Sequence, residues 1–471
     1  MGQPVCSTTT ILNMTDPPTD GIVDRLLFEA DKLFQMGRVQ QAADTLLQTV
    51  KQFPADKRVY HAFAEILIDG NQFEDGLALL LKVPDALRDQ RTMELTGYCL
   101  MGLGRQDEAA EQAREILFND PDSAPGLNLA GRLADQQGDR GRAENFYNQA
   151  IKSVPGYGSA YVNLGLIHWD LGENKGALDL IEKGFVLNPP DMTAATVYHA
   201  AVTELGAFER AEPVFKTAVK HNLHNERLQY LLIDVLVQQH QYPAALNEIQ
   251  KALAVFGASD GIIAAAQRVR KIAGQGVIET PANRECRLSV CMIVKNEAAN
   301  LAKCLKSVNP VADEIIVVDT GSTDHTREIA GIFGASVFDF PWGDDFAEAK
   351  NFAISKASGE WILSLDADEA ISPLDYEALK KLVGKSAPKS VAYAIVTRNY
   401  MNRVNAVGWR PNAGKYMDEE AGYGWFPSEK VRLFPNHARI RFEYPVHELV
   451  EPAHSFNCFM PRPEIKMVCV G

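Results

Sequence analysis

The chain holds 471 residues, 46% of them apolar, at a formal net charge of −14. That length exceeds one ordinary domain and the apolar fraction fills normal cores, so two or three domains are expected. The acidic balance argues against a nucleic-acid binder, whose phosphate contacts need a basic face. No apolar run reaches the length that spans a bilayer, and the start lacks a basic-then-apolar leader pattern. Met1-Gly2 opens like a myristoylation signal, but Cys6 stands where Ser or Thr is required. Seven scattered cysteines make neither a disulfide framework nor a CxxC metal pair, so a cytoplasmic location is expected.

Residues 1–20, rich in Thr, Pro and Asp, read as disordered. From about Val23 a period of 34 residues sets in. Ala109, Ala143, Ala177, Ala211 and Ala245 keep this step, as do Gly97, Gly131 and Gly165, and Pro121, Pro155 and Pro189. Ala150, Gly184, Ala218 and Ala252 follow it too. Small residues at fixed points let two helices of one unit approach, and proline stops the second helix. The pattern resembles tetratricopeptide repeats, with Tyr161 at a position usually held by Trp, and Leu164, Gly165 and Ala177 at signature positions. About seven units fit between Val23 and Ala258. The second is irregular, with Gly76 at the Ala position and Pro84 arriving early. Residues 259–275 read as a capping helix, so the array is placed at 21–275 and a linker at 276–286. Such arrays stack into an all-α solenoid whose groove holds a peptide or partner protein; a rigid spacer or dimerisation arm is the plainer use.

From residue 287 the period changes. Leu288–Val294 and Glu314–Asp319 read as strands, with a helix to about Val308 between them and a third strand near Ser336–Phe338. A helix over Phe346–Ala357 leads into Trp361-Ile362-Leu363-Ser364-Leu365-Asp366-Ala367-Asp368-Glu369. This is an apolar strand that ends in three carboxylates. Alternating strands and helices give a mostly parallel α/β sheet, and ligands of such sheets bind at the carboxyl ends of strands. Acids packed this closely repel one another, and Mg²⁺ or Mn²⁺ bound by hard oxygens removes that cost and suits phosphates.

Four segments, in this order, resemble the inverting family 2 glycosyltransferases. They are Val294-Lys295-Asn296-Glu297, Val318-Asp319-Thr320-Gly321-Ser322-Thr323-Asp324, Asp344-Asp345-Phe346-Ala347-Glu348-Ala349-Lys350-Asn351, and Asp366-Ala367-Asp368. The resemblance implies a Rossmann-like, nucleotide-sugar-binding glycosyltransferase A fold over 287–471. It implies a nucleotide-sugar donor, with UDP first in line, and a Mn²⁺ or Mg²⁺ cofactor. Donor contacts then fall to Lys295, Glu297, Asp319, Asp345, Lys350 and Asp366, and metal contacts to Asp366 and Asp368. Asp324 reads as a helix cap. Lys350 stands where Arg is common, so it binds as a point charge; a solvated helix face is the plain alternative. Residues 399–426 read as an acceptor-side loop between strands at Tyr393–Arg398 and Lys430–Phe434. The resemblance makes Glu448 the base that takes the acceptor proton, with His447 orienting it or approaching the metal. Related domains often carry a further His near the end. Cys469 stands close to that place, with His447 or His454 as substitutes, so the domain is expected to be incomplete or to do without the ligand.

Two other classes compete with this reading. One is a binding scaffold whose transferase half is degenerate. The other is a nucleotidyltransferase, which the glycine-free turn Lys295-Asn296-Glu297 disfavours.

Overall fold

The computed structural model describes residues 21–273, 286–384, 391–401, 408–416, 420–445, 449–452 and 466–469. The segment 1–20 and nearly all of the expected linker lie outside the described residues. The chain divides into two compact units, 1–240 and 241–471.

Among the described residues, fifteen α-helices run from α1 (Ile22–Gln35) to α15 (Asp260–Ala273). The 34-residue period sets their lengths and turns. Helices end at Asn119, Ser153 and Leu187, each two residues before Pro121, Pro155 and Pro189. Proline lacks the N–H that another turn of helix needs. The irregular second unit shows as a short α4 (Phe73–Leu80) followed by a 3₁₀ turn at Asp85–Leu87. The recurring small residues sit where two helices touch. Ala109, Ala143, Ala177, Ala211 and Ala245 are fully buried. A Cβ on Gly165, in α9 (Gly158–Asp170), would lie 2.6 Å from Ile181 Cγ1 and 3.0 Å from Ala177 O, both in α10 (Asn174–Leu187). Gly165→Val is therefore expected to overpack this pair and to destabilise the array by ~1–3 kcal/mol, measured by urea unfolding.

The second unit opens with α14 (Tyr242–Phe256) and α15, which the repeat period had grouped with the array. Here they pack on α16 (Leu301–Val308) and α17 (Thr326–Ile332). Gln250 Nε2 donates to Ile332 O at 3.0 Å, and His325 Nε2 lies 2.9 Å from Asp260 Oδ1. A fragment starting at residue 287 is thus expected to melt at a lower temperature than one starting at 241, as scanning calorimetry can read.

The sheet begins with β1 (Leu288–Val294), β2 (Glu314–Asp319), β3 (Ser336–Asp339) and β4 (Trp361–Ser364). These four are parallel in the order β3-β2-β1-β4. Their apolar runs suit strands covered on both faces. The covering helices include α16 and α18 (Phe346–Lys356). The sheet continues with β5 (Glu369–Ile371), β6 (Tyr393–Met401), β7 (Arg410–Pro411), β8 (Gly424–Pro435) and β11 (Lys466–Cys469), in the order β4-β8-β6-β11-β5 with β7 beside β8. Helix α19 (Tyr376–Val383) follows β5. Strands β9 (Ile440–Glu443) and β10 (Leu449–Pro452) form a separate antiparallel pair.

The expected loop at 399–426 needs correction at both ends. Strands β6 and β8 stay paired through Asn399↔Phe426, Tyr400↔Trp425 and Met401↔Gly424. The Asn and Gly residues read as breakers, but antiparallel pairing across the sheet overrides local propensity.

Candidate active site

The first two parallel strands deliver loops that hold each other in place. Past the end of β1, Lys295 and Asn296 are exposed and Glu297 is half-buried. Asn296 takes the left-handed conformation, φ 56°, which asparagine tolerates better than most residues. Its N–H donates to Ser322 Oγ at 2.9 Å, and its Oδ1 accepts from Thr323 N at 2.8 Å. Glu297 N donates to Thr326 Oγ1 at 2.8 Å. Asp324 serves as expected near a helix start: its carboxylate accepts from Thr326 N at 3.0 Å and Ala298 N at 3.1 Å. Burial works against its ionisation, and these hydrogen bonds outweigh it, so its pKa falls.

Asp319 ends β2 and is 2% exposed. Its Oδ1 accepts from Ser322 N at 3.1 Å, and its Oδ2 accepts from Arg327 Nη1 at 3.0 Å. Arg327 also holds Asp339 at the end of β3. The Asp319 carboxylate therefore shapes the loop that follows it. Asp345 caps α18, accepting from Glu348 N at 2.9 Å. One turn on, Lys350 is not a solvated side chain. It is 6% exposed, its Nζ donates to Asp366 Oδ1 at 3.2 Å, and it lies 5.2 Å from the centre of the Phe442 ring.

Asp366, just past β4, is the meeting point. Its Oδ2 accepts from Arg432 Nη2 at 2.8 Å. The same Nη2 reaches Glu369 Oε1 at 2.6 Å. Glu369 Oε2 accepts from Asp366 N at 3.0 Å, and Glu369 N donates back to Asp366 O at 3.0 Å. The turn 366–369 is thus tied by backbone and side chain at both ends. Asp368 lies within it, half-buried, with no hydrogen bond or ion pair among the described residues. Burial pushes Asp366 toward protonation, but the Arg432 and Lys350 charges outweigh it and hold this carboxyl well below the usual range. Burial wins at Glu369, whose pKa rises despite Arg432.

Of the residues expected from sequence, Lys350, Asp366 and Asp368 come together. Lys295, Glu297 and Asp319 lie on the adjoining loops at the ends of β1 and β2. Lys295 and Asp345 make no hydrogen bond or ion pair to the Asp366 group among the described residues. His447, Glu448 and His454 lie outside the described residues. Arg432 is a member that sequence reading missed, and Glu369, read as the third carboxylate of the strand end, was given no role of its own. The signal for Arg432 was a charge inside the apolar strand Val431-Arg432-Leu433-Phe434, since a buried charge requires a partner.

The fit of a divalent cation can be judged from the donor set. Hard carboxylate oxygens suit Mg²⁺ or Mn²⁺. Each oxygen of Asp366 already pairs with a cationic side chain, whereas Asp368 has no hydrogen-bond or ion-pair partner among the described residues. No group of three metal-ligating side chains occurs among the described residues.

This geometry places carboxylates and buried cations at the carboxyl ends of parallel strands in a mixed α/β domain that follows a helical repeat array. Comparison with known proteins agrees. Residues 289–444 match the family model described as Glycosyl transferase family 2, and residues 128–189 and 204–261 match that of the Tetratricopeptide repeat. The chain therefore joins tetratricopeptide repeats to a family 2 glycosyltransferase domain.

Among curated relatives, a TPR repeat-containing protein of Synechococcus elongatus is 38% identical over 166 residues, covering 35% of this chain and 36% of that protein. An uncharacterized glycosyltransferase of Rickettsia felis is 45% identical over 86 residues, covering 18% and 30%. The SPbeta prophage-derived glycosyltransferase SunS of Bacillus subtilis is 30% identical over 198 residues, covering 40% and 39%. The chain spans 30–39% of the length of these relatives. No described helix is long and apolar enough to cross a membrane.

Proposed function

We propose that the C-terminal domain moves a sugar from a nucleotide-sugar donor, UDP-linked in the first instance, to an acceptor with inversion. The observation that carries this reading is the half-buried Asp366 held between the buried cations Lys350 and Arg432, beside Asp368 at the end of β4. It lies within the segment that matches the transferase family. Two cations fixed beside an acidic turn suit a diphosphate that arrives with its own metal.

In this reading Asp368 holds Mn²⁺ or Mg²⁺, with Asp366 alongside. When bound, that cation stabilises charge on the departing nucleoside diphosphate. Lys350 offers a point charge to the same group. Lys295, Glu297 and Asp319 form the base and ribose side, and Asp345 sets the start of α18. Glu448 takes the proton of the acceptor hydroxyl, and His447 orients it. The repeat array presents a protein or peptide acceptor.

A scaffold with a degenerate site is the second reading. It is favoured by the internal engagement of Asp319 and of both Asp366 oxygens. An assay of manganese-dependent hydrolysis and transfer across UDP- and GDP-sugars separates the two. Turnover with any donor supports the enzyme, and its absence across the panel supports the scaffold.

A further inference from the structure

Arg432 is the most constrained side chain of this site. It is 3% exposed, it bridges Asp366 and Glu369 through one nitrogen, and its Nε is buried without a hydrogen-bond partner among the described residues. Lys350 takes the other Asp366 oxygen, and Glu369 also accepts from Thr397 Oγ1 at 3.3 Å. Two acids and two cations therefore balance around one four-residue turn. Buried ions are tolerated only with such partners, because desolvation costs several kcal/mol per ion. Asp368 is left as the turn's uncompensated carboxylate.

We propose that Arg432 is a positioning residue that keeps Asp366 paired, so that, among the described carboxylates of this turn, a divalent cation meets Asp368 alone until a donor diphosphate supplies further oxygens. The proposal rests on the donor-site reading above. Mg²⁺ and Mn²⁺ need about six oxygen ligands, and one carboxylate with water holds them weakly. The guanidinium adds repulsion, since it stands 2.8 Å from the carboxylate that would otherwise be the second ligand. A diphosphate brings both oxygens and negative charge, which offsets that repulsion. Metal and donor then load together, and the glutamate–arginine clasp enforces the order.

The test titrates Mn²⁺ alone, followed by electron paramagnetic resonance, into the full chain and into Arg432→Gln, Arg432→Lys and Lys350→Met, with melting temperature recorded for each. Mn²⁺ is then titrated again with UDP present. Removing the positive charge leaves Asp366 and Glu369 bare, so Arg432→Gln should bind Mn²⁺ at least ~10-fold more tightly than the unaltered chain. Arg432→Lys keeps the positive charge and should stay within about threefold of it. UDP should strengthen Mn²⁺ binding less in Arg432→Gln than in the unaltered chain.

A purely structural role predicts the opposite sign, because a loosened turn binds metal less well. Equal or weaker Mn²⁺ affinity in folded Arg432→Gln overturns the assignment. Where Arg432→Gln does not fold, Lys350→Met frees the other Asp366 oxygen and must show the same tightening. An unaltered chain that binds neither Mn²⁺ nor UDP refutes the donor-site reading itself. One that binds both while its variants gain nothing refutes only the role of Arg432.

Discussion

Asp368→Ala is expected to lower sugar transfer by ~10²–10³-fold and to abolish its dependence on manganese. The carboxylate sits in a turn fixed at both ends, by Glu369 N to Asp366 O and by Asp366 N to Glu369 Oε2. Its neighbour Asp366 has both oxygens committed to Lys350 and Arg432. A metal therefore loses the carboxylate of this turn that has no described partner. The fold should survive, because Asp368 makes no described ion pair or hydrogen bond. Circular dichroism and a metal titration of the rate check the two halves of this expectation. A variant that keeps full manganese-dependent activity would place the metal elsewhere.

Glu448→Gln should leave donor binding unchanged and slow transfer by ~10²–10⁴-fold, the usual contribution of a general base. The amide keeps the shape of the side chain but cannot accept the acceptor's proton. Glu448 falls between β9 and β10 in sequence, and its assignment rests on its resemblance to a dipeptide of related transferases. The diagnostic pattern is an intact calorimetric donor isotherm with a collapsed kcat. Retained transfer would move the base to another residue.

Sequence alone went far in the helical half because its signal repeats. Ala177 or Gly165 taken singly means little, yet the same residue type at five or three positions spaced by 34 marks one contact seen many times. The parallel strands were legible for a related reason: β1 and β2 are buried runs with no competing period. What sequence did not show was partnership across long separations. Arg432 pairs with Asp366 from 66 residues away, and only the antiparallel pairing of β8 with β4 brings them together. Sequence likewise left Lys350 between a solvated face and a ligand, and burial against Phe442 and Asp366 removes the solvated face. Repeat period groups α14 and α15 with the array, and the family match over 204–261 covers α14; α14 also packs on α16, and α15 on α17.

The central claim is that the Asp366–Asp368 turn, with Lys350 and Arg432, receives a nucleoside diphosphate together with a metal. A calorimetric titration of UDP into the full chain, with and without Mn²⁺, tests it most directly. The account predicts saturable binding with Mn²⁺ and at least ~10-fold weaker binding without it, a difference of about 1.4 kcal/mol. Absence of UDP binding in the presence of Mn²⁺ would contradict it.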